Sequence, residues 1–292
     1  DQRGYTRNVD GNAAASANEC DAGAFEYLSS PPPTTGTVVI VKDADPDDGT
    51  TFAFNDDIVN AGGFFLEHGE AETFTNVPAA QYNIVEYGES GWTLDDIDCD
   101  DTNSTVNVGT GLATINLEAG ETVTCTFYNS RDTGTVVIVK DADPADDTPF
   151  NFTEGIPGAG SGFTLTDPAD NTETFNDVPT GVYTATESIV AGWTLDDIDC
   201  DDTDSTDDTG TRTATIDVDK DETVTCTFSN SRDTGTIVIV KEATPADDTP
   251  FSFTEDIPGA GSGFTLMDPS DNTETFSDVP TGSYSVAETV PA

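Results

Sequence analysis

The sequence predicts an all-β chain of tandem β-sandwiches, and three observations predict it. The run Thr37-Val-Val-Ile-Val-Lys42 returns as Thr135 to Lys140 and, with one conservative change, as Thr236 to Lys241. Short β-rich runs bounded by Gly, Pro, Asn and Asp fill each copy, and no helical period is sustained over about ten residues. Cysteines recur at equivalent places: Cys99 and Cys125 lie 26 residues apart, as do Cys200 and Cys226.

The composition suits several small β domains better than one large core, with 35% apolar residues, 26 Gly and 16 Pro in 292 residues. The 57 acidic residues against nine basic ones give a formal charge of -48. That charge repels phosphate backbones and anionic lipid, so nucleic-acid binding is excluded. It suits a salty or calcium-rich medium, or a solvated surface without a specific partner. No apolar run reaches the roughly 18 residues of a membrane span, and no signal-peptide pattern opens the chain. The abrupt start at Asp1 and an end inside a repeat at Ala292 predict a piece of a longer or processed polypeptide.

Taken in order, residues 1–28 share nothing with the repeats and carry Arg3 and Arg7. Residues 29–35 contain Pro31-Pro32-Pro33, which favours polyproline II and reads as a semi-rigid spacer. Repeat 1 covers 36–132, repeat 2 covers 133–233 and repeat 3 covers 234–292, the lysine-ended run recurring at offsets of 98 and 101 residues. So little chain separates the repeats that a close-coupled stalk is expected. Repeat 2 shows seven β-runs: 135–140, 150–153, 162–166, 172–175, 181–188, 214–218 and 223–230. Seven strands in about 100 residues predict a sandwich. Trp92 and Trp193, each after a glycine, read as core aromatics. The cysteine pairs Cys99/Cys125 and Cys200/Cys226 are expected to be intradomain disulfides. A zinc site is disfavoured, because there is no C-x-x-C and His68 is the sole histidine. Disulfides imply an extracytoplasmic compartment. Cys20 is left without a counterpart.

Three of the four lysines, Lys42, Lys140 and Lys241, sit at one repeat position. Strand alternation places each on the face of the preceding buried-type residues, Val38 and Ile40 in repeat 1. Glu86, Glu187 and Glu288 recur after the tyrosine run, and Asn129 and Asn230 close the last run. Tyr183, Ala185 and Glu187 share a face, as do Cys226, Phe228 and Asn230, so all three polar groups point into one core. Desolvation favours neutral lysine and neutral glutamic acid, the pair able to attack and protonate an amide. The alternative is a buried Lys-Glu ion pair capped by Asn.

Two resemblances follow from these motifs. Asp1 to Gly4, Arg7 and Cys20 to Glu26 resemble the closing segment of right-handed parallel β-helix surface proteins, which implies a β-helix end segment at the N-terminus. Residues 36–292 resemble the Cna B-type domains of bacterial pilins and adhesins, whose relatives are transthyretin-like (prealbumin-like, Ig-like) sandwiches. The match rests on a first strand ending in Lys140, on Gly181-Val-Tyr183-Thr-Ala-Thr-Glu187, and on a last strand ending in Asn230; repeat 1 has Ala80 in place of that glycine. The resemblance implies isopeptide bonds Lys42-Asn129 and Lys140-Asn230, assisted by Glu86 and Glu187. Repeat 3 supplies Lys241 and Glu288 but stops before the tryptophan, cysteine and asparagine positions. Truncation explains this, or a neighbouring subunit's strand completes the sandwich.

Acidic clusters offer hard oxygens suited to calcium: Asp43, Asp45 and Asp47 in repeat 1, and Asp141, Asp143 and Asp146 in repeat 2. No twelve-residue calcium loop accompanies them, so a solvated acidic surface is the alternative, and no cofactor is required. The leading functional expectation is a non-enzymatic, extracellular cell-surface stalk or fibre that self-associates with neighbouring subunits. The second is an adhesin whose loops bind carbohydrate or host protein. An enzyme is disfavoured, since one histidine cannot furnish repeated His-based triads.

Overall fold

The structure, a computed structural model, describes residues 34–58, 62–158, 160 and 162–289. The expected β-helix segment, Cys20 and the three prolines lie outside the described residues. The chain divides into two compact units, Asp1–Glu89 with Leu94–Asn129, and Ser90–Thr93 with Ser130–Ala292.

Repeat 1 runs through β1 (Thr35–Asp45), β2 (Phe52–Asp56), β3 (Phe64–Leu66), β4 (Ala71–Pro78), β5 (Gln81–Glu86), β6 (Trp92–Cys99), β7 (Thr105–Asn107), β8 (Leu112–Asn116) and β9 (Thr122–Arg131). These form one sheet in the order β4-β1-β9-β6 and a second in the order β3-β2-β5-β8-β7. Repeat 2 repeats the plan with β10 (Thr133–Asp143), β11 (Phe150–Glu154), β12 (Phe163–Leu165), β13 (Thr172–Pro179), β14 (Gly181–Glu187), β15 (Trp193–Cys200), β16 (Thr206–Asp208), β17 (Thr213–Val218) and β18 (Thr223–Arg232). Its sheets are β13-β10-β18-β15 and β12-β11-β14-β17-β16. Each complete repeat is thus a two-sheet sandwich of nine strands, two more than the seven runs visible in the sequence.

The additional strands in repeat 2 are β15 and the short β16, and the reason β15 escapes a period-two reading is local. Its register slips between Leu195 and Asp197, so Trp193, Leu195 and Ile198 are all buried although their spacing breaks the alternation. A bulge of this kind places one extra residue against the partner strand. The tryptophans do pack at the core: Trp193 is buried, edge-on to Phe150 at 5.4 Å, with the Arg232 guanidinium over its outer face.

Alternation is clean where it matters most. In β1, Val38, Ile40, Lys42 and Ala44 are buried and the residues between them are not, and β10 repeats the pattern with Val136, Ile138, Lys140 and Ala142. Phe152 stacks on Phe163 and meets Phe228 edge-on at 5.1 Å, joining the two sheets of repeat 2. Both expected disulfides are present, and Cys200 and Cys226 are directly opposed across β15 and β18.

Repeat 3 contributes β19 (Thr234–Val240), β20 (Pro250–Glu255), β21 (Phe264–Met267), β22 (Thr273–Pro280) and β23 (Val286–Thr289). They form a pair, β19-β22, and a sheet, β21-β20-β23. Among the described residues nothing lies on the edge of β19 where β10 meets β18, and Val238 and Val240 are exposed.

Candidate crosslinking site

The first and last strands of repeat 2 run parallel, and that one feature assembles the site. Lys140 is opposite Phe228, and Ala142 is opposite Asn230. Register partners on adjacent strands point to the same side, as do residues two apart on one strand, so Lys140 and Asn230 share the inner face. Between them stands Ala142, small enough to leave the lysine room to reach the asparagine. β14, in the other sheet, brings Glu187 from across the sandwich, buried beside Phe152. Sequence-distant residues therefore meet because both ends of the repeat close on one another.

In repeat 1, Lys42 Nζ donates to Asn129 Oδ1 at 2.7 Å, to the Phe127 carbonyl at 2.9 Å and to the Asp43 carbonyl at 2.8 Å. Asn129 Nδ2 donates to Glu86 Oε1 at 2.7 Å. The other carboxylate oxygen, Glu86 Oε2, has no hydrogen-bond partner and lies 3.9 Å from Lys42 Nζ. Repeat 2 has the same lysine contacts: Asn230 Oδ1 at 2.7 Å, the Phe228 carbonyl at 2.6 Å and the Asp141 carbonyl at 2.7 Å. Glu187 Oε1 is 3.8 Å from Lys140 Nζ. Both lysine side chains are 0% exposed.

The surroundings are apolar. Phe52 lies under Lys42 at 4.3 Å from ring centre, and Phe150 under Lys140 at 4.4 Å, a cation-π arrangement when the amine is charged. Burial shifts both partners towards neutrality. It lowers Lys42 and Lys140 to about 8, against the opposing pull of Glu86 and Glu187, and it raises both glutamates above the usual carboxylate range. A neutral amine, an amide carbon and a carboxylic acid in contact are the components of amide exchange, with the acid touching the leaving nitrogen.

Repeat 3 brings its two residues together differently. Lys241 Nζ lies 3.1 Å from both oxygens of Glu288, with side chains 14% and 32% exposed. The expected calcium ligands are not gathered. Among the described residues no three His, Cys, Asp or Glu side chains form a group able to hold a metal ion. Asp43 and Asp45 lie on β1, and Asp141 and Asp143 on β10. Asp146 is instead paired with Arg232, and Asp43 lies 3.3 Å from His68; Asp47 lies in the exposed turn after β1.

One participant has no place in the sequence pattern. Arg212 donates through Nη2 to Glu187 Oε2 and through Nε to the Glu187 carbonyl at 3.2 Å. The signal available was its scarcity, a buried-side basic residue in a chain of nine against 57 acids, at a position where repeat 1 has Gly111.

The two-sheet sandwich with its last strand beside its first has the plan of a prealbumin-like repeat, and within it this chain buries a lysine against an asparagine, with a glutamate from the facing sheet. The chain belongs to that family: the model described as "Prealbumin-like fold domain" matches residues 38–131 and 136–232, well over half of the chain. No curated protein matches the sequence. Among solved structures, the TIE protein of Bacillus anthracis is similar at 16% identity and a TM-score of 0.51, over 88% of this chain and 46% of that one. This chain thus spans less than half of that relative. The major pilin protein (T-13) of Streptococcus pyogenes is similar at 14% identity and a TM-score of 0.41, over 70% of this chain and 98% of the pilin. Two B repeat units of the collagen-binding protein of Staphylococcus aureus align at 14% identity and a TM-score of 0.27, over 89% of this chain and 70% of theirs. At these identities the likeness is one of fold.

Proposed function

We propose that the chain is a length of an extracellular, cell-surface stalk whose sandwiches staple themselves with Lys42-Asn129 and Lys140-Asn230 isopeptide bonds. The observation that carries the reading is the twice-built contact of a fully buried lysine with an asparagine amide whose nitrogen is held by a buried glutamate. In repeat 1 the lysine proton passes to Glu86, leaving a neutral amine and a carboxylic acid. The Nζ lone pair attacks Asn129 Cγ, Glu86 protonates Nδ2, and the Cγ–Nδ2 bond breaks. Ammonia departs, one of the two protons left on Nζ passes to the carboxylate while the other stays on the new amide nitrogen, and Glu86 ends as the neutral acid. One bond forms per domain, so the chemistry is self-modification without turnover.

Chemistry directed at a domain's own core strengthens that domain, which is what a load-carrying repeat needs. The disulfides of both complete repeats fit an oxidising, extracellular setting. No described helix is long and apolar enough to cross a membrane. The test is intact mass under reducing conditions, with peptide mapping: each crosslink removes one ammonia, about 17 Da. A full-length mass at the value of the unmodified sequence would leave the clusters as polar core contacts and the stalk without its covalent staples.

A further inference from the structure

The two complete repeats differ at one point of the site. Gly111 and Arg212 are equivalent: each carbonyl accepts the amide of the site glutamate, at 2.9 and 3.0 Å, and each has positive φ, 65° and 60°. In repeat 2 the side chain at that position enters the site. The guanidinium pairs with Glu187 Oε2, with 15% of the arginine side chain and none of the glutamate side chain exposed. Arg212 also alters the asparagine contact. Asn129 Nδ2 reaches Glu86 Oε1 at 2.7 Å, whereas Asn230 Nδ2 reaches the very oxygen shared with Arg212, at 3.3 Å.

We propose that Arg212 is a positioning residue that holds Glu187 as a carboxylate, so that the Lys140-Asn230 bond of repeat 2 closes more slowly than Lys42-Asn129 and only as solvent removes the lysine proton. The inference rests on the self-crosslinking reading above.

In repeat 1, transfer of the proton from Lys42 to Glu86 abolishes two buried charges at once and exchanges nothing with water. The reactive pair therefore forms at any neutral pH. In repeat 2 the same transfer would strand the largely buried Arg212 cation without its counter-charge, so Arg212 holds the proton off Glu187 against the upward push of burial. Lys140 must then give its proton to solvent. The charged groups acting on Glu187 are Lys140 and Arg212, both drawing it down against burial; Glu187, Asp141 and Asp167 pull Lys140 up, and burial, with Arg212 acting the same way, outweighs them to leave Lys140 at about 8. Below about pH 8 the neutral fraction of such an amine falls about tenfold per pH unit. Glu187 then serves as base: it receives an Nζ proton during attack and passes it to the departing Nδ2, so protons balance and ammonia is again the product.

The experiment follows both bonds in one full-length chain. Protein recovered in denaturant before reaction is refolded under disulfide-forming conditions between about pH 6 and about pH 8, quenched at intervals, and mapped for each crosslinked peptide. Repeat 1 is expected to react at a nearly constant rate, and repeat 2 to accelerate about fiftyfold across that interval, as the neutral amine rises from about 1% to about half. Arg212→Gly, which takes the backbone conformation Gly111 already adopts, is expected to flatten the repeat 2 profile onto that of repeat 1; Arg212→Lys keeps the slope. Native disulfides and circular dichroism establish that the variants fold. Equal rates and profiles in the two wild-type repeats would overturn the role of Arg212 while leaving self-crosslinking intact, as would a slope that survives Arg212→Gly. Absence of ammonia loss from both repeats at every pH would overturn both.

Discussion

Replacing Asn129 with Ala removes the electrophile of repeat 1 and leaves its lysine free to titrate. Two consequences can be sized. The proposed crosslink joins residues 87 apart, and chain-entropy models give about 4 to 5 kcal/mol for closing such a loop, so the variant should lose stability of that order. The second consequence is a pH dependence that the crosslinked domain lacks. Burial holds Lys42 at about 8 in the fold against 10.5 in the unfolded chain. Below about pH 8 both states carry the proton, and the fold bears the whole cost of a buried cation. Between about 8 and 10.5 only the unfolded chain is protonated, so stability rises with pH, by about 3 kcal/mol in all. Glu86, raised by burial, acts in the opposite sense: its contribution is present below the unfolded value of 4.5 and is lost as pH rises through its folded value. The uncrosslinked domain should therefore be least stable near neutrality. Urea unfolding in a Trp193→Phe background, which leaves Trp92 as the sole indole, measures this with disulfides intact. An amide-bound lysine cannot titrate, so wild type should show no rise above about pH 8. A wild-type rise equal to that of the variant, with equal urea midpoints at neutral pH, would refute both the crosslink and the reasoning from burial.

Three further outcomes are expected. Cys200→Ala with Cys226→Ala should lower the stability of repeat 2 by about 3 to 4 kcal/mol, read by urea unfolding, since the bond closes a loop of 26 residues. Gly134→Ala should cost about 1 to 3 kcal/mol, because a Cβ there would lie 2.7 Å from Val218 Cγ1 and 2.8 Å from the Asp219 carbonyl, and native-state proteolysis should cut repeat 2 faster. Tyr183→Phe removes a hydroxyl that donates to the Pro179 carbonyl at 2.7 Å and should lower the repeat 2 urea midpoint by the equivalent of about 1 kcal/mol.

What was legible in the sequence, and what was not, has a physical basis. Lys140, Glu187 and Asn230 could be placed in one core because each lies in a regular alternating strand, where side-chain direction follows from counting by two. The disulfides were legible from spacing because their cysteines oppose one another across adjacent strands. β15 was not, since a bulge shifts its inward set and aspartates, which are depleted in strands, occupy its outward positions. The clustered aspartates suggested a metal, but composition carries no direction, and among the described residues no three acidic, histidine or cysteine side chains form a group able to hold one. Arg212 was marked only by its scarcity, for a related reason: the backbone there turns through positive φ, a conformation sequence seldom announces for an arginine.

The three copies together indicate what arms the site. Lys241, directly after β19, and Glu288, on β23, are the same residue types at equivalent positions, and the Phe251 ring lies 3.9 Å from the lysine, much as Phe52 and Phe150 do in the other repeats. Yet their side chains retain 14% and 32% exposure, against 0% and 1% for Lys42 and Glu86. Repeat 3 has, among the described residues, no counterpart of the last four strands, and the final one of these supplies the asparagine and the carbonyl of Phe127 or Phe228 in repeats 1 and 2 and covers the lysine. First strand and glutamate alone give a partly exposed ion pair with no asparagine against it. Docking of β9 or β18 both delivers the electrophile and dries the amine. The proposed condensation therefore waits for the whole repeat to close: lysine at its beginning and asparagine at its end can react only after every strand between them has folded, and the bond then locks that closure.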